Sequence, residues 1–524
     1  MKHVDTIDIT EVRRLAWHES ISHAERERLD HLLSYTTDQH WYVDTPPCGS
    51  VSHIQEVDIR AMLESGNFAR VTSESPMAYA KLFSVPEPDK NRRRSILWPE
   101  AINARLRGTY VSHIGDCLDA CSLGTNRAVR VFDLSSGFYQ VPLADEVSSS
   151  LAAEVSTGNE SLFLRPTRLP MGITYAPDLL ELIVKIVAKV AIATTDPTVS
   201  LHVHVDNIRF AGPDKARVDA VAEQFRSLAQ SISMSIKDED PSTFLGANYD
   251  YAFPGGVRVQ PAEKTSQKLR TLADITLNSP LPMWGAVREM FSRCVYSARL
   301  LRQPLAQYFD IVKYIRRRSA AGLCAETCTP IWKSIISKWR TWVDSLTDPH
   351  SWASHPSDDK GPCPYILFTD ASLSGFGAVL CDNFGSLWAH AGKWDKVYSP
   401  GDINTLEAQA VHLAVIAFRD QLREATAVQL LVDNTSTKYA LSKGSAASFT
   451  LNRCIRDALH ALPASVPITV AYLDSASNPA DALSRGRTYV GDYSSACGLV
   501  AVAGAPARVR GAGRRCTTSN SQNP

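Results

Sequence analysis

Four apolar runs in this chain stop at an aspartate: VRVFD at Asp133, LHVHVD at Asp206, YILFTD at Asp370 and LLVD at Asp433. Runs rich in Val, Ile, Leu and Phe and bounded by turn residues read as strands. An acid closing such a run sits at the rim of a sheet. Two of them brought together repel unless a cation or a proton lies between them. Such an acid most often caps a turn, and where two are brought together they can share divalent ions.

The chain has 524 residues, of which 44% are hydrophobic. That length suggests about three domains, each able to fill a core. Lys+Arg and Asp+Glu are equal at 55 each, so bulk electrostatic coating of nucleic acid is disfavoured, while charge segregated by domain is allowed. The 11 cysteines show neither CxxC spacing nor partnered histidines, which points to free thiols in a cytoplasmic or nuclear protein. MKHVDTIDITEVRR has no apolar signal core, so secretion is not expected. The most apolar stretch, Leu179 to Ala193, is broken by Glu181, Lys185 and Lys189 on one helical face, and predicts an amphipathic helix with no membrane role.

The organisation expected is an N-terminal extension (1–50), polar and weakly patterned, followed by a mixed α+β region (51–260). A helical region (261–350), a linker (351–362), an α/β domain (363–487) and a disordered, Arg-bearing tail (488–524) complete the chain. In the α/β region YILFTDASLSGFGAVLCDNFGSLWAHAGKW predicts three strands, the last two turning at Asp382–Gly385.

Asp133 at a strand end and Asp206 in the strand–turn–strand LHVHVDNIRFAGP can share divalent ions for an in-line phosphoryl displacement. Taken alone, each is better read as a turn cap. The ordered series DLSSGF, LPMGITYAP, HVDN, then Lys237 and FLG resembles the motifs of reverse transcriptases from retroviruses and retrotransposons, over about residues 55–255. The resemblance implies a right-hand polymerase of fingers, palm and thumb with Asp133 and Asp206 as its metal ligands. It further implies that Phe138 lies under the incoming sugar and excludes a 2′-hydroxyl. Met171 and Gly172 would form the loop against the templating base pair, and Lys237 would stand near the triphosphate. KNRRRSILWPEAIN resembles the family's basic fingers strand, with Arg94 best placed to clamp triphosphate oxygens beside Lys90, Arg92 and Arg93. The family's aromatic-x-Asp-Asp turn is here His204-Val205-Asp206-Asn207, so Asn207 removes one charge while keeping an oxygen donor. His202 and His204, lacking a third ligand, read as structural.

Asp370, Glu407, Asp433 and Asp481 fall at a strand end, an early helical turn, a second strand end and a late helix, a set able to hold two Mg²⁺. Individually, Glu407 also fits a capping box begun by Asn404, Asp433 a turn cap, and Asp481 a helix-start charge. In order, TDAS, LEAQA, VDNTS and NPADALSR resemble the RNase H domain of retroelement polyproteins, with Asn478 matching the family's Asn before the last acid. The histidine often found in the preceding loop is missing. Between the two motif sets, residues 261–350 hold 14 Lys/Arg against seven Asp/Glu; Arg299, Arg302 and Arg316–Arg318 suit phosphate contacts.

The sequence is thus identified as resembling a retroelement reverse transcriptase–RNase H, closer in its HVDN turn and DALSRG ending to DIRS-like or VIPER-type tyrosine-recombinase retrotransposons. The resemblance implies RNA template, DNA primer, RNA–DNA hybrid and deoxynucleoside triphosphates as partners, with other element-encoded proteins beside them. Mg²⁺ is the implied cofactor, with Mn²⁺ as an alternative. The rival readings are a polymerase-inactive protein that keeps only ribonuclease H, and a non-catalytic domesticated nucleic-acid scaffold.

Overall fold

The computed structural model describes residues 5–71, 76–87, 92–106, 114–121, 127–157, 160–253, 256–356, 364–382, 384–425, 427–463, 466 and 468–487. Lys90 and the tail 488–524 lie outside the described residues. The chain forms two compact units of mixed α and β structure, one of residues 1–121 with 126–245, the other of 122–125 with 246–524.

In the first unit, a four-stranded antiparallel sheet runs in the order Ile236–Glu239, Ala128–Leu134, Asn207–Gly212, Ser200–His204. Phe132 and Phe210 from neighbouring strands meet Phe225 of the helix Lys215–Ser231, with ring centroids 5.3–6.1 Å apart, and close the core over one sheet face. The helix Ala176–Thr195 is the apolar stretch anticipated above, buried along most of its length. No helix among the described residues is long and apolar enough to cross a membrane.

The N-terminal 50 residues differ from their weak patterning. Ile9–Ala16 is capped by Asp8, and His23–Thr37 begins with a Ser22–Glu25 capping box. Val12, Leu15, Leu29, Leu32 and Leu33 are buried in the same core as the 176–195 helix. Arg28 pairs with the fully buried Asp178, and Lys189 Nζ lies 2.5 Å from Glu25. Polar side chains that serve as caps and inter-helix ion pairs diluted the helical periodicity.

A second sheet (Ser52–His53, Ala153–Ser156, Ser161–Pro166, Phe68–Arg70) and the hairpin Lys81–Glu87/Arg92–Trp98 complete this unit. The hairpin is stitched to the LPMG loop: the Leu97 amide donates to Met171 O at 2.8 Å, and Asn103 Nδ2 to Gly172 O at 2.9 Å. Gly172 has φ +111°, and a Cβ there would stand 2.1 Å from Leu97 O. Only glycine permits that approach. Gly172→Ala is expected to lower the urea stability of this unit by about 2 kcal/mol or more, read as a shifted unfolding midpoint; an unchanged midpoint would refute the contact.

In the second unit, the helices Glu263–Asn278, Trp284–Leu300, Phe309–Ala320 and Lys333–Thr347 enclose Trp284, Tyr314, Trp339 and Trp342, as the helical reading of 261–350 anticipated. The expected linker 351–362 contains a strand, Ala353–Pro356, paired antiparallel to Gly256–Pro261. Its Pro-rich, polar composition disguised an edge strand; the rest of it, from 357, lies outside the described residues.

A five-stranded sheet follows, ordered Leu387–Lys393, Gly375–Cys381, Pro364–Ala371, Ala427–Val432, Ile468–Tyr472. The first three strands are antiparallel and the last two parallel to the central one, reached through helical crossovers that include Ile403–Ala417 and Phe449–Ala461. The anticipated turn after Cys381 is held by Asp382 Oδ1, which accepts from the amides of Phe384 and Ser386. The short helix Ala480–Ser484 lies directly on the strand Gly375–Cys381, because Gly377 has no Cβ: one would meet Ala480 O at 2.5 Å. That contact sets the height of Asp481 above the sheet.

Candidate metal centre and a second acidic pair

The central parallel strands end side by side, with Thr369 in register with Val432, so Asp370 and Asp433 emerge at one rim of the sheet. Glu407 reaches the same rim from the helix Ile403–Ala417. One carboxylate oxygen from each of the three lies within 4.8 Å of the others. Asp370 and Glu407 are 2% and 4% exposed, and Asp370 Oδ2, Glu407 Oε2 and Asp433 Oδ1 are buried with no hydrogen-bond partner. Orphaned buried carboxylate oxygens are costly unless something not yet counted satisfies them. Three hard oxygen donors converging in this way fit Mg²⁺ or Mn²⁺ and fit a soft thiophilic ion poorly.

The geometry removes the capping alternatives for Glu407 and Asp433, whereas Asp481 does stand in the first turn of the helix Ala480–Ser484. Asn404 is inside its helix, where Oδ1 accepts from Asn434 Nδ2 at 2.8 Å, and the capping box forms instead between Ser399 and Asp402. The helix after Asp433 is capped by Asn434, leaving Asp433 to accept from Ser475 Oγ at 2.6 Å. Asn478 is buried; its Nδ2 donates to Thr369 O at 2.9 Å and its Oδ1 accepts from the Ala480 amide. It thereby ties the strand bearing Asp370 to the helix bearing Asp481. Asp481 stands beside the three acids without joining the converged set; its Oδ1 accepts from Arg485 Nε at 3.0 Å and Nη2 at 2.8 Å.

Burial, then the charges of Asp433 and Asp370, push Glu407 up to about 9. Burial likewise lifts Asp370 to about 7, with Asp433 and Asp481 adding like-charge repulsion against a hydrogen bond from Ser484. Glu407 therefore keeps its proton more tightly folded than unfolded, where its ordinary value is 4.5. The stability this proton contributes is fully present below pH 4.5 and is lost as pH rises through about 9. Melting temperature of the metal-free chain should thus fall between pH 6 and 9, and Glu407→Gln should flatten that fall. Equal slopes in differential scanning fluorimetry would contradict it.

The first unit gathers a different pair. Asp133 is in register with Asn207 on one side and Lys237 on the other, and Asp206 occupies the turn after Ser200–His204. Asp206 is raised above its ordinary range by burial and then by the nearby Asp133. Asn207 Nδ2 donates to Asp206 Oδ1 at 3.0 Å. Lys237 Nζ lies 2.7 Å from Asp133 and 2.6 Å from Glu239. Burial opposes the lysine's charge, but these carboxylates outweigh it and hold its pKa up. Among the described residues the acids that meet here are Asp133 and Asp206, and Asp133 is already ion-paired.

Arg94 approaches this pair from the hairpin: it pairs with Glu87 at 2.7 Å, touches Met171 Sδ at 3.9 Å and partly offsets the charge of Asp206. Phe138 is half-buried against the core in the 3-10 turn Gly137–Gln140, and a Cβ on Gly137 would contact Asp206 Cβ at 3.4 Å. Arg93 is engaged with Asp58 at 2.8 Å. His202 is structural as anticipated, buried against Arg209 Nη1 at 3.2 Å and pushed down to about 3 by burial and that charge. In the second unit Arg317 and Arg318 lie over the rings of Trp332 and Tyr314.

Two roles were not read from the sequence. Glu181, placed there on one helical face with Lys185, does accept from Lys185 at 2.6 Å, but it also accepts from the Val205 amide at 3.0 Å while 2% exposed. Val205 has φ +57°, a strained state for a β-branched residue, and Glu181 is what holds it. An acid inside an apolar helical run was the available signal. Arg485 was visible only as part of DALSRG.

No family model matches this chain, and no curated protein matches it. It is similar to the solved structure of the foamy viral protease-reverse transcriptase in complex with double-stranded DNA, at 16% identity over 91% of this chain and 99% of that one, with a TM-score of 0.46. It is similar also to the same viral protein in complex with an RNA/DNA hybrid, at 15% identity over 91% of this chain and 64% of that one, with a TM-score of 0.47.

Proposed function

We propose that this chain is a retroelement reverse transcriptase that also degrades RNA in RNA–DNA hybrids, and that its ribonuclease centre is Asp370, Glu407, Asp433 and Asp481. The observation that carries the reading is the convergence of three acids, Asp370 and Glu407 buried and Asp433 half-buried, each with one buried oxygen that has no hydrogen-bond partner. These residues would hold Mg²⁺ or Mn²⁺, which when bound supplies Lewis acidity at the scissile phosphate and a more acidic water. Ser475 orients Asp433, and Asn478 fixes the spacing between Asp370 and Asp481. In this reading residues 51–260 supply fingers and palm, the helices of 261–350 the thumb and connection, and residues 363–487 the RNase H-like domain.

In the polymerase centre Asp133 and Asp206 are the acids that would hold the divalent ions, whose charge would in turn attract the triphosphate. Lys237 carries a proton beside Asp133, positioned to pass toward departing pyrophosphate. Arg94 trades Glu87 for triphosphate oxygens, Phe138 screens the sugar, Asn207 steadies Asp206, and Met171–Gly172 set the wall against the template base. A second reading, ribonuclease without polymerase, is favoured by one observation: Asn207 faces Asp133 and Lys237 neutralises it, so the first centre is short of charge for two ions.

One paired assay separates these readings. With Mg²⁺ or Mn²⁺, the full chain should cleave labelled RNA in a hybrid, and Asp370→Asn should reduce cleavage by about a hundredfold or more. Primer extension on an RNA template should be abolished by Asp133→Ala, with hybrid cleavage retained. Wild-type cleavage without extension selects the second reading; absence of both overturns the proposal.

A further inference from the structure

The acids of the ribonuclease centre are not treated alike. Among the described residues no Lys, Arg or His pairs with Asp370, Glu407 or Asp433, whereas Asp481 is held at one oxygen by both Nε and Nη2 of Arg485. The two are one turn apart on the short helix pressed onto Gly377, so their pairing is built into the backbone. Arg485 is half-exposed, with its side chain 51% accessible, and feels the charges of Asp370 and Asp433 as well as Asp481. A guanidinium so placed already neutralises the acid that a second ion would need. It is also a bidentate phosphate donor, accessible from solvent, beside the centre.

We propose that Arg485 is a positioning residue that occupies the second cation's place until a nucleic-acid phosphate draws it away, so that the free protein takes one divalent ion at this centre and the hybrid-bound protein takes two. This rests on the ribonuclease reading of the four acids. Binding of hybrid and completion of the centre become one event, since the phosphate that removes Arg485 is part of the strand to be cut. Free protein would then hold an incomplete centre, protecting RNA that is not paired with DNA.

The test counts Mn²⁺ by electron paramagnetic resonance on the full chain, taking the difference between each protein and its Asp370→Asn counterpart to isolate this centre. Wild type should bind one ion, rising to two with a cleavage-resistant 2′-O-methyl-RNA–DNA hybrid. Arg485→Gln should bind two without hybrid, or bind the second at least tenfold more tightly, and Arg485→Lys should restore the count of one. Two ions on free wild type, or equal counts for wild type and Arg485→Gln, would overturn the proposal while leaving the ribonuclease reading intact. If Asp370→Asn loses no ion at all, the metal-centre reading and this inference fall together.

Discussion

Mutual repulsion among carboxylates buried at one sheet rim is the constraint that the second unit is built around. Asp370, Glu407 and Asp433 arrive from two parallel strands and a crossover helix, and among the described residues no cationic side chain pairs with them directly. The fold tolerates this by leaving protons on Glu407 and Asp370, which a cation can replace. Packing supplies the rigidity that holds like charges together. The central strands are buried on both faces, and Gly377 and Asn478 lock the final helix against them. Stability is given up at this rim for a site poised to bind.

The first unit solves a smaller version of the problem differently. The repulsion between its two acids is eased by Lys237, by Arg94 at longer range and by the neutral Asn207, whose side chain donates to Asp206. Strain is concentrated at Val205, whose left-handed backbone is held by a buried acid from the neighbouring helix. The turn is thus fixed by Glu181 and Lys185, far away in sequence. A lysine on Asp133 and an arginine on Asp481 play parallel parts, each a resident cation where charge must later be handled.

Much of this was legible before the structure, and the reason is local. Strand ends are marked by abrupt change from apolar to acidic residues, so Asp133, Asp370 and Asp433 were found where apolar runs stop. LPMG and NPAD were legible only as motifs; the contacts that fix them, the close approach of Gly172 to Leu97 O and the bond from Asn478 to Thr369 O, were not. What was illegible depends on pairing across distance. Asn404 as a cap for Glu407 was a sound local reading that lost to a longer-range bond from Asn434. The N-terminal helices looked polar because their caps are polar and because some of their charges, Arg28 with Asp178 and Glu25 with Lys189, pair with another helix. The strand Ala353–Pro356 lay in a segment whose prolines and charges spell a linker.

The central claim is that the second unit holds protonated carboxylates in wait for a divalent cation. Calorimetric titration of Mn²⁺ into the full chain near pH 7.5, repeated in buffers of differing ionisation enthalpy, measures the protons displaced per ion. With Glu407 near 9 and Asp370 near 7, about one proton or more should leave as the ion enters, and Glu407→Gln should lower that number. Metal binding at this centre with no proton released would contradict the account.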